Sequence, residues 1–300
     1  MKLSSLLKLS YFGLTSVLFK KQYPLVESII LTDKCNLACK HCAVSNITTI
    51  VYPYSQIKAE MQSIYAAGIR ILFFYGGEPF LWQDRGISLR DIVIEAKRMG
   101  FLLVNIVTNG TFKLDLPEAD LILVSLDGVK ESHNKIRGNT YDTVLGNISD
   151  AATNNICIYM AINQINKSDI EQVCKTAIHS PKVKAISFNF HTPYPGTEYL
   201  QLSREEKQNC CDQITHLIDR GYPIINLRSA FPSIVNNNFK TPCYQCVVTE
   251  NGKQWPCGRC VDIPGLCSQC GFFFAAELSL VFSGNLKVII DMLKTYLRYI

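Results

Sequence analysis

The sequence predicts an α/β protein: a partial (β/α)6 barrel of TIM-like type on a parallel sheet, with a small cysteine-rich C-terminal extension. Three observations carry this expectation. Between residues 25 and 190, short apolar runs alternate with segments of helical period. Six such repeats are too few for a complete eight-stranded barrel and leave an open or partial one. Beyond residue 200 the alternation stops, and six cysteines fall between 241 and 270.

The first strand is expected over 25–31, and a helix over 54–67 stops at Gly68. A strand over 69–75 closes on Gly76-Gly77, and a helix over 87–99 stops at Gly100. The strand over 102–107 ends at Thr108-Asn109-Gly110, and the strand over 121–125 is followed, after a loop, by a helix over 141–154. Strand 157–162, helix 168–179 and strand 185–190 complete the series. Successive βαβ units are right-handed and build a parallel sheet. Ser203 followed by Glu206 is a capping box for a helix reaching residue 220, and 272–300 is apolar with helical period. The expected organisation is an amphipathic N-terminal helix over 1–24, a core over 25–200 and an extension over 201–300.

Composition narrows the function classes. The chain of 300 residues is 48% apolar and 18% charged, which excludes disorder and supplies a large core. Thirty Lys and Arg against 25 Asp and Glu give +5, too small a balance to argue for a nucleic-acid partner. Thirteen cysteines, odd in number and grouped, favour metal binding over a disulfide framework. Near the N-terminus, Leu6, Leu7, Phe12 and Leu14 lie among Lys2, Lys8, Lys20 and Lys21. The longest uncharged run there, 9–19, is well short of the roughly 20 residues that span a bilayer, and no small-residue cleavage site follows. The expectation is a cytoplasmic protein, with this helix either peripheral on an anionic membrane surface or capping the barrel.

Cys35, Cys39 and Cys42 follow a C-x3-C-x2-C spacing directly after the first strand, at the carboxyl edge of the sheet where such barrels build active sites. Three thiolates on one loop hold three irons of a [4Fe–4S] cluster and leave the fourth open. Zinc is the alternative, with His41 as fourth ligand. Gly76 and Gly77 allow close backbone approach to a ligand, Glu78 offers a carboxylate to an ammonium, and Pro79 fixes the turn.

In this order the motifs resemble the radical S-adenosylmethionine (SAM) superfamily over residues 25–200. Tyr75-Gly76-Gly77-Glu78-Pro79 resembles the motif that meets the amino group of SAM, and His41 stands where the family has an aromatic residue before its last cysteine. Thr108 and Asn109 follow strand three, Ser125 and Asp127 follow strand four, and Arg137 lies where a basic residue meets the SAM carboxylate. The resemblance implies that SAM chelates the open iron and is cleaved reductively to a 5′-deoxyadenosyl radical that abstracts hydrogen from substrate. It also implies a flavodoxin- or ferredoxin-like electron donor. The competing reading is a non-catalytic iron–sulfur or zinc protein serving electron transfer or structure. The lead-in over 21–26 resembles that of radical SAM enzymes of hopanoid lipids, which points to a lipid or isoprenoid substrate; a peptide is the other candidate.

The second cysteine group is Cys243, Cys246, Cys257, Cys260, Cys267 and Cys270, three C-x2-C pairs. Two such pairs match a zinc ribbon. Residues 250–257 resemble a stretch of radical SAM C-terminal extensions that carry auxiliary clusters, which implies a second [4Fe–4S] cluster. Zinc and redox thiols stay open beside it. His191 and Tyr194 follow the sixth strand at the same rim and are candidate substrate contacts.

Overall fold

The structure is a computed structural model that describes residues 24–42, 48–240 and 245–299, with Tyr11, Gly13 and Thr15 ahead of them. The helix expected over 1–24 and Cys243 therefore fall outside the described residues, apart from those three positions and Pro24. In chain order the strands are β1 (Val26–Ile30), β2 (Ile71–Tyr75), the two-residue β3 (Gln83–Asp84) and β4 (Ile87–Ser88), β5 (Leu103–Thr108), β6 (Leu121–Ser125), β7 (Ile156–Ile162), β8 (Val183–Phe190), β9 (Cys246–Glu250) and β10 (Lys253–Pro256). The α-helices among the described residues are α1 (Tyr54–Ala66), α2 (Leu89–Met99), α3 (Lys130–Arg137), α4 (Tyr141–Ser149), α5 (Ile170–Ile178), α6 (Arg204–Asp219), α7 (Phe231–Val235), α8 (Phe273–Phe282) and α9 (Leu286–Tyr299).

Eight strands form one sheet in the order β10-β9-β1-β2-β5-β6-β7-β8, so the barrel is partial and its sheet does not close. Every pairing in it is parallel except β10 with β9. The runs from β1 to β8 are rich in Ile, Val, Leu and Phe because a parallel sheet in an α/β fold is covered on both faces. Ile29, Leu72, Phe74, Val104, Ile106, Val124, Met160 and Phe188 are fully buried. Each such side chain contributes about 1.5–3 kcal/mol of transfer free energy.

Several boundaries differ from the sequence reading for identifiable reasons. Ile87 opens not a helix but the second arm of a hairpin, whose turn places Arg85 and Gly86 at φ 49° and 83°. Helix α2 then starts two residues later, where the Ser88 N–H and hydroxyl both donate to Asp91. Helix α3 has no counterpart in the reading: only His133 and Ile136 are buried, too sparse an apolar period to register. The apolar stretch over 272–300 resolves into α8 and α9, bent by 119° about Gly284 at φ 81°. Among the described residues no single helix is long and apolar enough to cross a membrane.

The largest departure is that the extension joins the sheet. β9 pairs with β1 from Val26 opposite Cys246 to Ile29 opposite Thr249, and β10 folds back on β9. At the other edge, the Phe190 N–H donates to the Gly271 carbonyl (2.9 Å) and the Phe273 N–H to Asn189 Oδ1 (2.8 Å). A Cβ at Gly271 would stand 2.1 Å from the Phe190 carbonyl oxygen, so only glycine fits that seam. Residues 245–273 thus run from one open edge of the six-stranded core to the other.

Candidate active site

The first cysteine loop leaves the carboxyl end of β1 and is clamped to the turn after β2. The Gly77 N–H donates to the Thr32 carbonyl (2.7 Å) and the Glu78 N–H to the Lys34 carbonyl (2.9 Å). A Cβ on Gly77 would lie 2.2 Å from the Lys34 carbonyl oxygen; one on Gly76, at φ 147°, would lie 2.3 Å from that of Thr32. The close approach these glycines permit is made, in this structure, by the cysteine loop itself.

Glu78 is fully buried and fastens that turn to the end of β5. Its carboxylate accepts from the Thr108 hydroxyl (2.8 Å) and from the N–H groups of Asn109 (2.8 Å) and Phe80 (3.1 Å). Burial pushes its carboxyl up to about 7, against the pull of those donors. Pro79 is buried at the start of a short 3₁₀ turn. Asn109 turns its amide toward Cys35 Sγ (3.7 Å) and Asn36 Oδ1 (2.9 Å).

On the opposite wall stands a charged group that the sequence does not reveal as a unit. Asp127, fully buried, accepts from Arg137 Nε (2.6 Å) and the Ala161 N–H (2.8 Å), with His41 Nε2 at 3.4 Å. Arg137 also reaches Cys39 Sγ (3.8 Å) and His41 Nε2 (3.3 Å). Burial pushes the Asp127 carboxyl up, but Arg137 and His41 outweigh it and leave it below the usual range. Burial, seconded by Arg137 and opposed by Asp127, lowers His41 to about 4, so its ring is neutral. His41 Nδ1 is buried without a hydrogen-bond partner. His133 accepts the Asp127 N–H at Nδ1 (3.2 Å). Ser125 is buried at the end of β6.

The donor chemistry of this loop fits a [4Fe–4S] cluster. Cys35 and Cys39 are half-buried, Cys42 is exposed, and N–H donors from Asn109 and Arg137 face two of the three sulfurs. Such hydrogen bonds favour thiolate and tune cluster potential. Among the described residues no three Cys, His, Asp or Glu side chains are drawn together as for a single metal ion.

The second group gathers Cys257, Cys260, Cys267 and Cys270 around a cavity of about 20 Å³, walled by Thr192, Val261, Leu266 and Phe272. Cys246 packs against the small apolar cluster of Cys270 and Ala275. The Cys257 N–H donates to the Cys246 carbonyl (2.7 Å), and Cys257 sits at φ 69°, a strained region for a non-glycine residue. A hydrogen bond with Cys257 lowers the Cys260 thiol, against burial. Three rings lead toward this group from the first loop: His41 lies edge-on to His191 (6.3 Å), and His191 to Tyr194 (6.3 Å). Burial raises the Tyr194 phenol well above its ordinary value, followed by the nearby Cys260 and Cys270.

Comparison with known proteins agrees with this architecture. Residues 29–177 match the radical SAM superfamily. Fe-coproporphyrin III synthase of Methanosarcina barkeri is 28% identical over 216 residues, which cover 64% of this chain and 52% of that protein. The chain thus matches about half the length of that relative. The crystal structure of Streptococcus suis SuiB bound to S-adenosylmethionine superposes with a TM-score of 0.65 at 14% identity, covering 95% of this chain and 72% of SuiB. That of anSMEcpe with AdoMet and the Kp18Cys peptide gives 0.60 at 18% identity, covering 90% and 84%. These likenesses show the fold. The resemblance of the lead-in over 21–26 to hopanoid-lipid enzymes is not borne out. With its cysteine loop, glycine turn and parallel half-barrel in the family's order, this chain belongs to the radical SAM superfamily, whose members use a [4Fe–4S] cluster and SAM.

Proposed function

We propose that this chain cleaves SAM reductively at a cluster held by Cys35, Cys39 and Cys42, and that it modifies a peptide. The observation that carries the first half is the clamped cysteine loop, whose sulfurs receive N–H donors from Asn109 and Arg137. When bound, the reduced cluster and SAM supply a 5′-deoxyadenosyl radical that takes a hydrogen atom from substrate. Around them Glu78 and the glycine pair fix the loop. Asp127 holds Arg137 against Cys39, and Thr108, Ser125 and the neutral His41 ring complete the wall. The peptide reading is supported by the fold shared with SuiB, solved with its precursor peptide SuiA, and with anSMEcpe, solved with a peptide. The four cysteines around the small cavity beside Thr192 supply the thiols that a second iron–sulfur cluster or zinc would need, and we propose that they hold one. A flavodoxin- or ferredoxin-like protein is the proposed electron source.

Anaerobic reconstitution with iron, sulfide, dithionite and SAM tests the reaction: 5′-deoxyadenosine forms, and alanine at Cys35, Cys39 or Cys42 abolishes it. Absence of cleavage by reduced protein with a full cluster spectrum would overturn the reading. A peptide encoded beside the gene and deuterated throughout should pass deuterium into 5′-deoxyadenosine; transfer from deuterated membrane lipid instead would replace the peptide by a lipid.

A further inference from the structure

We propose that the large cavity behind the second cysteine group binds an oxyanion, phosphate or carboxylate, of a small-molecule or peptide ligand, with Lys207 as its cationic anchor. The proposal goes beyond the SAM chemistry and requires neither metal site. The cavity holds about 540 Å³, within the range of small-molecule sites. It is walled by the first turn of α6, the residues after α7, and Ser268 and Gln269, which stand between Cys267 and Cys270. Asn237 ties the last two walls together by donating to the Cys270 carbonyl (2.8 Å).

Lys207 is the observation that points to a ligand. It is only 5% exposed, its Nζ lies 5.8 Å from the centre of the Phe190 ring, and it makes no ion pair among the described residues. Lys97 and Lys167, both more exposed, each have a carboxylate partner, Asp120 and Glu206. Taking an ammonium out of water without a counter-charge is expensive, so nature pairs such groups or opens them onto a polar space. Lys207 opens onto this cavity. Burial lowers its ammonium, with Cys270 and Cys211 pulling the other way. Arg204, one turn back, lines the same space, and Glu198 is the one carboxylate in the lining, so the charge is net positive. The remainder is mostly neutral and polar, including Asn236 and Ser268, groups that hydrogen-bond an oxyanion. The α6 N-terminus itself is not the argument: Ser203 and Glu206 already occupy one another's N–H groups there.

The test uses the full chain. Pyridoxal 5′-phosphate condenses its aldehyde with a lysine amine, water leaves, and borohydride reduces the resulting C=N bond to a stable label read by mass spectrometry. Lys207 should be labelled ahead of the exposed Lys253, and inorganic phosphate or glutarate should slow that labelling by about tenfold. Protection by phosphate alone identifies a phosphate group, and by glutarate alone a carboxylate. In parallel, phosphorus line broadening of inorganic phosphate and proton line broadening of glutarate should be lost in Lys207→Met and kept in Lys207→Arg. Circular dichroism confirms that both variants fold. Lys207 labelling indifferent to both anions, or equal broadening with wild type and Lys207→Met, would overturn the proposal and leave a water-filled cavity. Because no step involves SAM cleavage, failure here leaves the radical SAM reading untouched.

Discussion

The two cysteine groups share one rim of the barrel but are built from opposite surroundings. Around Cys35 and Cys39 the protein places polar and charged groups: Asn109, Arg137, and behind them buried Asp127 and Glu78. Around Cys257, Cys260, Cys267 and Cys270 it places Val261, Leu266 and Phe272, and it holds Cys257 in a strained backbone conformation. The first loop is therefore organised by the polypeptide before any metal arrives. The second has a small core and depends more on what its thiols bind, as small metal-bearing segments do.

Removing the ligands separates the groups most sharply. The Cys35/Cys39/Cys42 triple alanine variant should lose all SAM cleavage yet retain about four irons and a [4Fe–4S] spectrum, if the second group holds a cluster. Iron-free protein with bound zinc would make that group a structural ribbon, and protein without either metal would reduce it to thiols.

The charged frame of the first group gives the next largest effect. Arg137→Met leaves Asp127 buried without its cation and should cost about 3–5 kcal/mol in denaturant unfolding of the metal-free protein. Adding Asp127→Asn should restore part of this. A loss no larger than that of a surface pair such as Arg90–Glu118, about 0–1 kcal/mol, would show that the frame does not organise the loop. Gly77→Ala should follow at about 1–3 kcal/mol, because its Cβ meets the Lys34 backbone rather than a flexible side chain.

The smallest effect concerns two buried glutamates, one behind each group. Burial pushes both Glu78 and Glu277 up to about 7, from an ordinary 4.5. Between those values the folded state binds more protons than the unfolded, so stability falls as pH rises and the loss is complete above 7. His41 and His133, lowered to about 4 from 6.5, change stability in the opposite sense below pH 6.5. Above 6.5 the unfolded imidazoles lose their protons and the histidine effect fades, while the glutamate decline continues. Glu277 accepts from the Leu227 N–H and Asn226 through one oxygen, so Glu277→Gln can keep those bonds. It should raise stability at pH 8 by about 1–2 kcal/mol and flatten the decline in melting temperature between pH 6.5 and 8. Glu78 uses both oxygens for donors, so Glu78→Gln forces an amide N–H against another donor and should destabilise at either pH.

The parts of the molecule that repeat were legible in sequence. Strands β1, β2 and β5 to β8 follow from apolar runs that end in turn residues, and those ends locate Cys35, Gly76, Asn109 and Asp127 at one rim. Partnerships across the barrel were not legible. Arg137 is the last residue of α3, a helix whose polar sequence conceals it, and nothing local says that Asp127 and Arg137 both meet His41. Gly76 and Gly77 announced a close approach but not that the cysteine loop makes it. β9 and β10 did have a signal: Asn251-Gly252, at φ 49° and 74°, is the two-residue turn typical of hairpins, flanked by Val247, Val248 and Trp255.

The pairing of β9 with β1 also sets a clock. Val26 and Cys246 lie opposite one another in the sheet although 220 positions apart (246 − 26), among the longest-range contacts a chain of this length can make. At ribosomal rates, β1 emerges about 10–40 s before its second partner exists. Throughout that interval an apolar strand offers a bare row of N–H and C=O groups, the template on which separate chains pair and aggregate. A nascent chain stalled before residue 246 should therefore precipitate or recruit a chaperone rather than settle as a smaller barrel, and the hairpin of β9 and β10 is the stitch that ends the exposure.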